Sequence, residues 1–293
     1  MSLITCFGLG IMGEPIAIRL LEAGHTVTIW DGRSKDAVGR LKTFGCHVAG
    51  TPREAASGAE AIITCLPNGS SVHEVLFEGS HPAVEDAAGA LILDLSTIGP
   101  ESAAELGDRA ENVGLRYVDA PVSGGPSAAA KGLLTVMAGG STEDLTQAEA
   151  LCAAFAKEFQ IMGARGSGQA TKLCNNLLVA QIMMANAQAL ALGESYGLPP
   201  EVLMPVLSKS SGSNWQLDNI LSKTVLKDDY TPLFSVSHMA KDTLLILEAA
   251  AASGIPMPSF EHVSQAYVDS KNEYYADADF SIIYKRLIDQ YVR

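Results

Sequence analysis

The chain has 293 residues, enough for two domains with sizeable cores, and hydrophobic residues make up 47% of it. Its 33 acidic side chains outnumber the 20 basic ones, which gives a formal net charge of -13. Such a surface repels nucleic acid and anionic membranes, so we expect neither as a partner. The five cysteines are scattered, and no basic, apolar leader precedes the first apolar run. These two features favour free thiols and a cytoplasmic location.

Short apolar runs alternate with helical patterns through residues 1–163. The predicted strands are Leu3–Phe7, Thr26–Trp30, His47–Ala49, Ala61–Leu66, Ala90–Leu95, Tyr117–Ala120, Thr135–Ala138 and Phe159–Met162. Alternation of this kind predicts an α/β domain with a doubly wound, mostly parallel sheet that helices cover on both faces.

A glycine-rich segment follows the first predicted strand directly and leads into a helical pattern; it consists of Gly8, Leu9, Gly10, Ile11, Met12 and Gly13. Between a strand and a helix, each glycine has a task. Gly8 makes a tight turn, Gly10 lets the backbone approach a pyrophosphate, and Gly13 lets the helix pack closely on the strand. The segment therefore predicts a Rossmann-type dinucleotide-binding domain over 1–163. A glycine-rich turn in another kind of α/β protein is the alternative.

The residues after the second predicted strand bear on the choice of cofactor. Asp31 follows Gly8 at nearly the spacing of the acid that binds the adenosine ribose hydroxyls. A carboxylate there favours NAD, because it repels the 2′-phosphate of NADP. Arg33 could stack on adenine or reach a phosphate, and it also fits a solvated loop arginine. We expect NAD and leave NADP open.

Two later strands end in residues that could also contact a cofactor. Ligands of open α/β sheets bind beyond the carboxyl ends of the strands, which makes candidates of Leu66, Pro67, Asn68 and Thr97. Asn68 and Thr97 have an alternative reading as helix caps, a common position for these residue types.

Two further segments carry residue types suited to chemistry. Ser123, Gly124 and Gly125 offer a hydroxyl and close backbone amides to an anion such as a carboxylate, although a plain polar turn has the same composition. Lys172 and Asn176 are four residues apart in a helical pattern and so share one face. Small and apolar neighbours indicate that Lys172 is partly buried, where it could donate a proton to a carbonyl; a lysine that extends to solvent is the alternative.

Strand patterns largely disappear after residue 163. The apolar stretch from Ala170 to Tyr196 contains several amide side chains, so it indicates a buried helix rather than a membrane span. Further helices are predicted at Glu201–Lys209, Ser235–Ser253, Ser259–Tyr275 and Ser281–Tyr291. We therefore predict an interdomain helix over 164–196 and an all-α domain over 197–293.

The predicted all-α domain contributes two candidates. Lys241 and Asp242 begin a helical pattern, where a surface charge pair is the alternative to a functional role. Trp215 could line a pocket, and a core or interdomain position fits it equally well. No spacing of histidines suggests a metal site.

Together these segments resemble the β-hydroxyacid dehydrogenases over nearly the whole chain. Four motifs of that family occur in order, at Gly8–Gly13, Asp119–Gly125, Gly166–Asn176 and Lys241–Asp242. The resemblance implies hydride transfer between NAD(H) and a small β-hydroxy acid or its semialdehyde, of the 3-hydroxyisobutyrate, serine or tartronate type. It also implies a homodimer or homotetramer that binds a small hydroxy-acid substrate.

The resemblance further implies a role for each matching residue. Lys172 would be the general acid/base, Asn176 would hold the substrate, and Ser123 with the amides of Gly124 and Gly125 would grip its carboxylate. Thr97 and Lys241 would lie against the nicotinamide half of the cofactor. Trp215 is similar to a residue of members that accept serine and hydroxypropionate-type substrates.

The chain departs from the family pattern at several positions. Thr243 and Leu244 stand where Leu-Gly is usual, which should alter helix packing more than chemistry, and Arg19 replaces an asparagine. Two alternatives to the expected function stay open: an NADPH-dependent reductase of short-chain semialdehydes or glyoxylate, and a cofactor-bound scaffold without catalysis. The 6-phosphogluconate dehydrogenases and imine reductases share the scaffold but fit these motifs less well.

Overall fold

The computed structural model of the chain describes residues 1–30 and 35–291. It divides into two compact units, Met1–Lys172 and Leu173–Arg293. The strands of the first unit are β1 (Leu3–Phe7), β2 (Thr26–Trp30), β3 (His47–Val48), β4 (Ala61–Thr64), β5 (Leu91–Asp94), β6 (Arg116–Asp119), β7 (Val122–Ser123), β8 (Leu134–Gly139) and β9 (Ala156–Gly163). Its helices are α1 (Gly13–Glu22), α2 (Lys35–Thr43), α3 (Pro52–Ala56), α4 (Gly69–His73), α5 (Pro100–Asn112), α6 (Gly125–Ala130) and α7 (Thr142–Cys152).

The strands form one sheet in the order β3-β2-β1-β4-β5-β6-β8-β7, with β9 paired to β8. The pairs from β3 to β6 are parallel, which confirms the predicted Rossmann-type sheet. At β8 the direction reverses, because β8 is antiparallel to β6 and β7. The sequence did not predict β7, since a strand of two residues beside a glycine turn has no visible period.

Apolar side chains cover both faces of this sheet. Along β4 and β5, Ile63 and Leu93 belong to one buried cluster, whereas Ile62 and Ile92 belong to another. Successive side chains of a strand point to opposite faces, so an unbroken apolar run requires helices on both sides. With both faces filled, the carboxyl ends of the strands remain as the place where a ligand can meet backbone atoms.

Helix α8 (Ser167–Ser195) continues from the first unit into the second. The second unit also contains α9 (Pro200–Leu207), α10 (Val236–Ala252), α11 (Pro258–Asn272) and α12 (Ile283–Tyr291), with short π or 3-10 turns at Leu217–Leu221, Val225–Lys227 and Phe280–Ile282. Within the described part of this unit, β pairing is limited to one isolated bridge between Ser235 and Asp279. The predicted helical character of this half is confirmed.

By length and composition alone, α8 could cross a membrane. Its side chains Met183 and Leu190 instead belong to the apolar core of the second unit. The buried amides of Asn176 and Asn186 are hydrogen-bonded to other residues of that unit. Such pairing of buried polar groups is what the core of a folded unit requires.

Candidate active site

The turn between β1 and α1 combines tight packing with one open position. Gly8 has a φ of 88°, and a Cβ there would overlap the carbonyl of Cys65. A Cβ on Gly13 would overlap the carbonyl oxygen of Gly8. Around Gly10, by contrast, no atom of the described chain lies within 4 Å of the Cβ position. The two outer glycines therefore build the turn, and the middle one leaves the space that a pyrophosphate needs.

The first turn of α1 also suits an anion. Among the described residues, no side-chain hydrogen bond caps this end of the helix, so the positive end of its dipole is open to a phosphate. The Glu14 amide is already used, since it donates to the Gly10 carbonyl at 3.1 Å. Of the other residues in the turn, Leu9 is buried, Ile11 is exposed and Met12 is half-buried. The geometry of the turn thus fits the phosphates of a dinucleotide.

The turns after β4 and β5 lie beside it at the same edge of the sheet. The amide of Leu66 donates to Ser96 Oγ at 2.9 Å, which joins the two turns. Asn68 caps α4 by accepting from the Ser71 amide at 2.9 Å, and both it and Pro67 are exposed. Thr97 is half-buried, and the N-cap residue of α5 is Gly99. The helix-cap alternative therefore fits Asn68 but not Thr97.

A buried carboxyl supports the turn that carries Thr97. Asp94 accepts hydrogen bonds from Thr64 Oγ1 at 2.7 Å, the Ser96 amide at 2.9 Å and the Tyr117 hydroxyl at 2.9 Å. Burial raises the pKa of Asp94, and the hydrogen bonds from Ser96 and Thr64 oppose that rise. Asp94 was not among the residues predicted from the sequence, although an acid at the end of the apolar run Leu91–Leu93 is a visible signal.

A second buried carboxyl fixes the start of α8. Asp119 accepts from the Gly166 amide at 2.7 Å and from the Gln169 amide at 2.9 Å, so it caps the helix from a distant strand. Burial raises the pKa of Asp119 to about 6, although these two amides lower it. Gly166 has a φ of 89°, and a Cβ on Gly168 would overlap the carbonyl oxygen of Met137. The glycines of this motif therefore serve packing against the protein itself.

Lys172 lies next to the predicted anion-binding turn. Its Nζ donates to the carbonyl oxygen of Val122 at 2.8 Å, one residue before Ser123. Ser123 belongs to β7 and pairs with β8. Gly124 and Gly125 have φ values of 131° and 73°, in the region that favours glycine. Within the first unit, the structure thus brings together the predicted proton donor and the predicted substrate turn.

In the second unit, one carboxylate joins two of the predicted residues. Asp242 is only 2% exposed, and its Oδ2 accepts from Asn176 Nδ2 at 2.5 Å. Its Oδ1 lies 2.7 Å from Lys241 Nζ. Asn176 Oδ1 accepts from the neighbouring Asn175 at 3.0 Å. The Lys241–Asp242 pair is therefore more than an exposed charge pair, since its carboxylate also orients Asn176.

Trp215 belongs to the second unit too, but it is not part of this cluster. Its side chain is 67% exposed. Asn214 exchanges two amide hydrogen bonds with Asn186 of α8, at 3.0 and 2.8 Å, and Gln216 donates to the Val179 carbonyl at 2.9 Å. The backbone on each side of Trp215 is thus fastened to α8 while the indole ring stays exposed.

Several residues named in the sequence analysis lie outside these clusters. Asp31 and Arg33 fall outside the described residues, so the expected recognition of the ribose stays a prediction. Arg19 donates to the carbonyl of Ala154 at 3.1 Å, and Thr243 accepts a hydrogen bond from the Ser264 hydroxyl at 3.0 Å. Both residues that depart from the family pattern therefore form hydrogen bonds within the protein. Within residues 1–30 and 35–291, no group of three His, Cys, Asp or Glu side chains could hold a metal ion.

A mostly parallel sheet with a glycine turn at its carboxyl edge, together with a lysine beside the turn at Ser123, is the arrangement expected of a nucleotide-dependent dehydrogenase. Residues 3–163 match the family described as the NAD binding domain of 6-phosphogluconate dehydrogenase. Residues 166–287 match the family described as NAD-binding of NADP-dependent 3-hydroxyisobutyrate dehydrogenase. The two matches together cover nearly the whole chain.

Individual proteins agree with this assignment. The NAD-dependent L-serine dehydrogenase of Pseudomonas aeruginosa is 37% identical over 291 residues, which cover 97% of each chain. The 3-hydroxyisobutyrate dehydrogenase of the same organism is 37% identical over 259 residues, 86% of each chain. The structure of the Mycobacterium tuberculosis 3-hydroxyisobutyrate dehydrogenase with L-serine superposes with a TM-score of 0.88 at 32% identity, covering 98% of this chain and 99% of that one.

The chain belongs to the β-hydroxyacid dehydrogenase family, which confirms the resemblance found in its sequence. It is an NAD(P)-dependent oxidoreductase of hydroxy acids. NAD is the supported cofactor, and NADP stays open.

Proposed function

We propose that the protein oxidises a small β-hydroxy acid of the serine or 3-hydroxyisobutyrate type to its semialdehyde, reversibly, with Lys172 as the general acid/base. The observation that carries this proposal is the 2.8 Å hydrogen bond from Lys172 Nζ to the Val122 carbonyl. It holds the amine one residue from Ser123, where a substrate carboxylate would bind. An amine beside the substrate turn is within reach of a hydroxyl on the same small molecule.

The proposed chemistry assigns the proton to Lys172. During oxidation, the neutral amine of Lys172 takes the hydroxyl proton as the carbon–oxygen bond becomes a carbonyl; during reduction, the ammonium returns it. NAD, when bound, supplies the acceptor of the hydride that leaves the same carbon. Ser123 and the amides of Gly124 and Gly125 hold the carboxylate, and Asn176 holds the substrate one helical turn beyond Lys172.

The cofactor contacts are part of the same proposal. We assign the phosphates to the turn that contains Gly8, Leu9, Gly10, Ile11, Met12 and Gly13. The adenosine end is assigned to Asp31 and Arg33, and the remaining contacts to Leu66, Pro67, Asn68, Thr97 and Lys241. Support comes from the open space beside Gly10 and from the hydrogen bond that joins the Leu66 and Ser96 turns.

The substrate class is supported by two relatives. One bears the name L-serine dehydrogenase, and the solved structure of another was determined with L-serine. Trp215 is the proposed contact for the part of the substrate that distinguishes these acids. We further propose a cytoplasmic homodimer or homotetramer, which sedimentation velocity would test, and a division into 1–163, 164–196 and 197–293.

A spectrophotometric screen tests the reaction. Purified protein is mixed with NAD or NADP and with serine, 3-hydroxyisobutyrate, 3-hydroxypropionate, threonate or glycerate. A second series pairs NADH or NADPH with glyoxylate or a short-chain semialdehyde. We expect reduction of NAD with serine or 3-hydroxyisobutyrate. Turnover confined to NADPH with glyoxylate or a semialdehyde would favour the reductase alternative, and cofactor binding without any turnover would favour the scaffold.

Substitution of Lys172 tests its role. Lys172→Ala should lower kcat by roughly two to four powers of ten, the range attributed to a general acid/base. Lys157→Ala, at an exposed lysine of β9, is the matched control and should leave kcat unchanged. Ser123→Ala should mainly raise the KM of the hydroxy acid, because its contact exists in the ground state as well as the transition state. A loss of less than tenfold in Lys172→Ala would contradict the assignment.

A further inference from the structure

Gln169 is a buried amide whose polar atoms are all used. Its side chain is 0% exposed. Its Oε1 accepts from the amides of Ile98 at 3.0 Å and Gly99 at 3.2 Å, and its Nε2 donates to the Ser96 carbonyl at 2.7 Å. These three backbone partners flank Thr97, so one side chain of α8 holds the whole turn after β5.

The contacts require the chemistry of a glutamine. The Thr97 turn presents two donors and one acceptor to the helix, and a side-chain amide matches both kinds at once. A carboxylate of the same length offers no donor to Ser96, and an aliphatic side chain offers neither. Loss of the amide would leave the Ile98 and Gly99 amides and the Ser96 carbonyl without their partner.

The same residue is anchored at its backbone. The Gln169 amide donates to Asp119 at 2.9 Å, and the carbonyl of Gly166 at the start of the same turn accepts from Ala170 at 2.9 Å. Lys172 follows three residues later in the same helix. Gln169 is therefore a rigid link between the turn that bears Thr97 and the helical turn that bears Lys172.

We propose that Gln169 is a positioning residue for the nicotinamide half of the cofactor site, which fixes the Thr97 turn against the helix that carries Lys172. This inference rests on the proposed function for the roles of Thr97 and Lys172, whereas the hydrogen bonds of the Gln169 side chain do not depend on that function. A turn released from Gln169 has to be ordered again when the cofactor binds, so affinity for NAD falls. The substrate turn is held by other contacts, namely Lys172 to Val122 and the pairing of β7 with β8.

Gln169→Leu tests the link with a side chain of similar size and no polar atom. Its matched control is Gln160→Leu at an exposed position of β9. We expect the Kd of NADH, measured by fluorescence titration without substrate, to rise roughly tenfold in Gln169→Leu. The KM of NAD should rise equally, while the KM of the hydroxy acid stays within about twofold of wild type.

Hydrogen exchange gives a readout that needs neither cofactor nor activity. The Ile98 and Gly99 amides should exchange faster in Gln169→Leu than in wild type, because both lose their acceptor. The exchange of amides in β1 and β2 reports whether the unit as a whole remains folded. Faster exchange at Ile98 and Gly99 alone identifies a local release of the turn.

Gln169→Glu separates a positioning role from a general loss of stability. Its carboxylate could accept from Ile98 and Gly99, but its second oxygen would face the Ser96 carbonyl until a proton is added. The ionisable groups bonded to this region are the Asp119 carboxyl, which accepts from the Gln169 amide, and the Asp94 carboxyl, which accepts from the Ser96 amide and the Tyr117 hydroxyl. The Lys172 amine lies on the same helix but donates to the Val122 carbonyl. We expect the KM of NAD in this variant to approach the wild-type value as the pH falls from about 8 to about 6. Gln169→Leu should show no such recovery.

Several outcomes decide the matter. An unchanged Kd of NADH in folded Gln169→Leu overturns the proposal, as does an equal rise in the KM of both substrates. If Gln169→Leu does not fold, the pH recovery of Gln169→Glu decides, and its absence overturns the proposal. Should the wild type oxidise no hydroxy acid, the proposed function fails, whereas the NADH titration still decides the role of Gln169.

Discussion

The two units position their candidate residues in different ways. In Met1–Lys172 these residues lie on turns that are set by backbone packing and by two buried carboxyls, Asp94 and Asp119. In Leu173–Arg293, Asn176 and Lys241 are set by side-chain contacts to Asp242. Substitutions of the closely packed glycines and buried carboxyls of the first unit should therefore disturb its fold and its site together, whereas substitutions of side-chain contacts in the second unit should leave the first unit unchanged.

Three glycines of the first unit show how closely its site depends on backbone packing. Gly13 and Gly168 each approach a carbonyl oxygen so closely that any side chain would collide with it. Gly10 belongs to the same turn as Gly13, yet the space beside it is open. The same residue type thus serves packing of the protein interior at two positions, and at the third it leaves the space that we propose for the cofactor phosphates.

The largest effects should come from Gly13→Ala and Gly168→Ala. Each added methyl group overlaps a carbonyl oxygen that belongs to the sheet or its first turn, so the backbone must move. We expect each to lower the free energy of unfolding by about 3 kcal/mol, as for other overpacked sites. Urea denaturation followed by circular dichroism measures the change.

Gly39→Ala is the control for these two variants. Gly39 lies in α2, and among the described residues outside its own helical turns no atom lies within 4 Å of its Cβ position. Because alanine is the better helix former, the free energy of unfolding of this variant should be about 0.5–1 kcal/mol higher than that of the wild type. If Gly13→Ala and Gly168→Ala were as stable as the wild type, the first unit would not depend on backbone packing as described.

The next effect concerns the pH dependence of stability. Burial raises the pKa of Asp119 to about 6 from an ordinary value of 3.8. Between these pH values the folded chain keeps the proton while the unfolded chain releases it, so stability falls as the pH rises from about 4 to about 6. As the pH rises through this window, the free energy of unfolding of the wild type should fall by about 2–3 kcal/mol relative to that of Asp119→Asn.

Urea denaturation of both proteins at several pH values measures this difference. Subtraction of the Asp119→Asn curve removes the contributions of the other carboxyls, including Asp94. A constant difference between the curves would mean that the Asp119 carboxyl ionises as readily in the folded chain as in the unfolded one. In that case burial would not raise the pKa of the carboxyl that caps α8.

Much of the first unit could be predicted from the sequence, because most strands of the parallel part of the sheet are apolar runs that end at or just before a glycine or a polar residue. The runs Leu3–Phe7 and Thr26–Trp30 were predicted with their observed bounds. The reversal at β8 was not, since pairing direction depends on partners far away in the chain. The motifs of the glycine turn and of Lys172 were visible because they are local.

The polar supports of the site could not be predicted in the same way. Gln169 bonds to an amide 71 residues earlier, and Asp119 caps a helix that begins nearly fifty residues later. A sequence pattern reveals neither partner, because both are backbone atoms with no residue signature. The glycines of the second motif likewise look the same as ligand-binding glycines until the atoms beside them are known.

Gly10→Ala should have a smaller effect, and on the cofactor rather than on the fold. The added methyl group enters the open space of the turn, so the free energy of unfolding should stay within about 0.5 kcal/mol of wild type. The Kd of NADH should rise roughly tenfold, because the pyrophosphate can no longer approach the backbone as closely. A loss of stability like that of Gly13→Ala, with NADH affinity retained, would reverse the roles assigned to the two glycines.

The smallest effect is expected at Trp215, where the second unit can be altered without the first. Asn186→Ala removes both hydrogen bonds to Asn214 but leaves the bond from the Leu217 amide to Asn214 in place. The free energy of unfolding should fall by about 1–2 kcal/mol, and the KM of the hydroxy acid should rise about threefold. The Kd of NADH should not change, because the glycine turn belongs to the other unit and Lys241, the cofactor candidate of this unit, is paired with Asp242 rather than with Asn214.

Fluorescence anisotropy makes the release of Trp215 directly visible. The chain has two tryptophans, so Trp30→Phe leaves Trp215 as the single reporter. In that background Asn186→Ala should lower the anisotropy, since the segment around the indole loses its fastening to α8. Were the anisotropy and the KM both unchanged, the bond from Gln216 to the Val179 carbonyl would suffice to hold the segment. The second unit would then position its residues through the backbone as the first does, and the contrast between them would disappear.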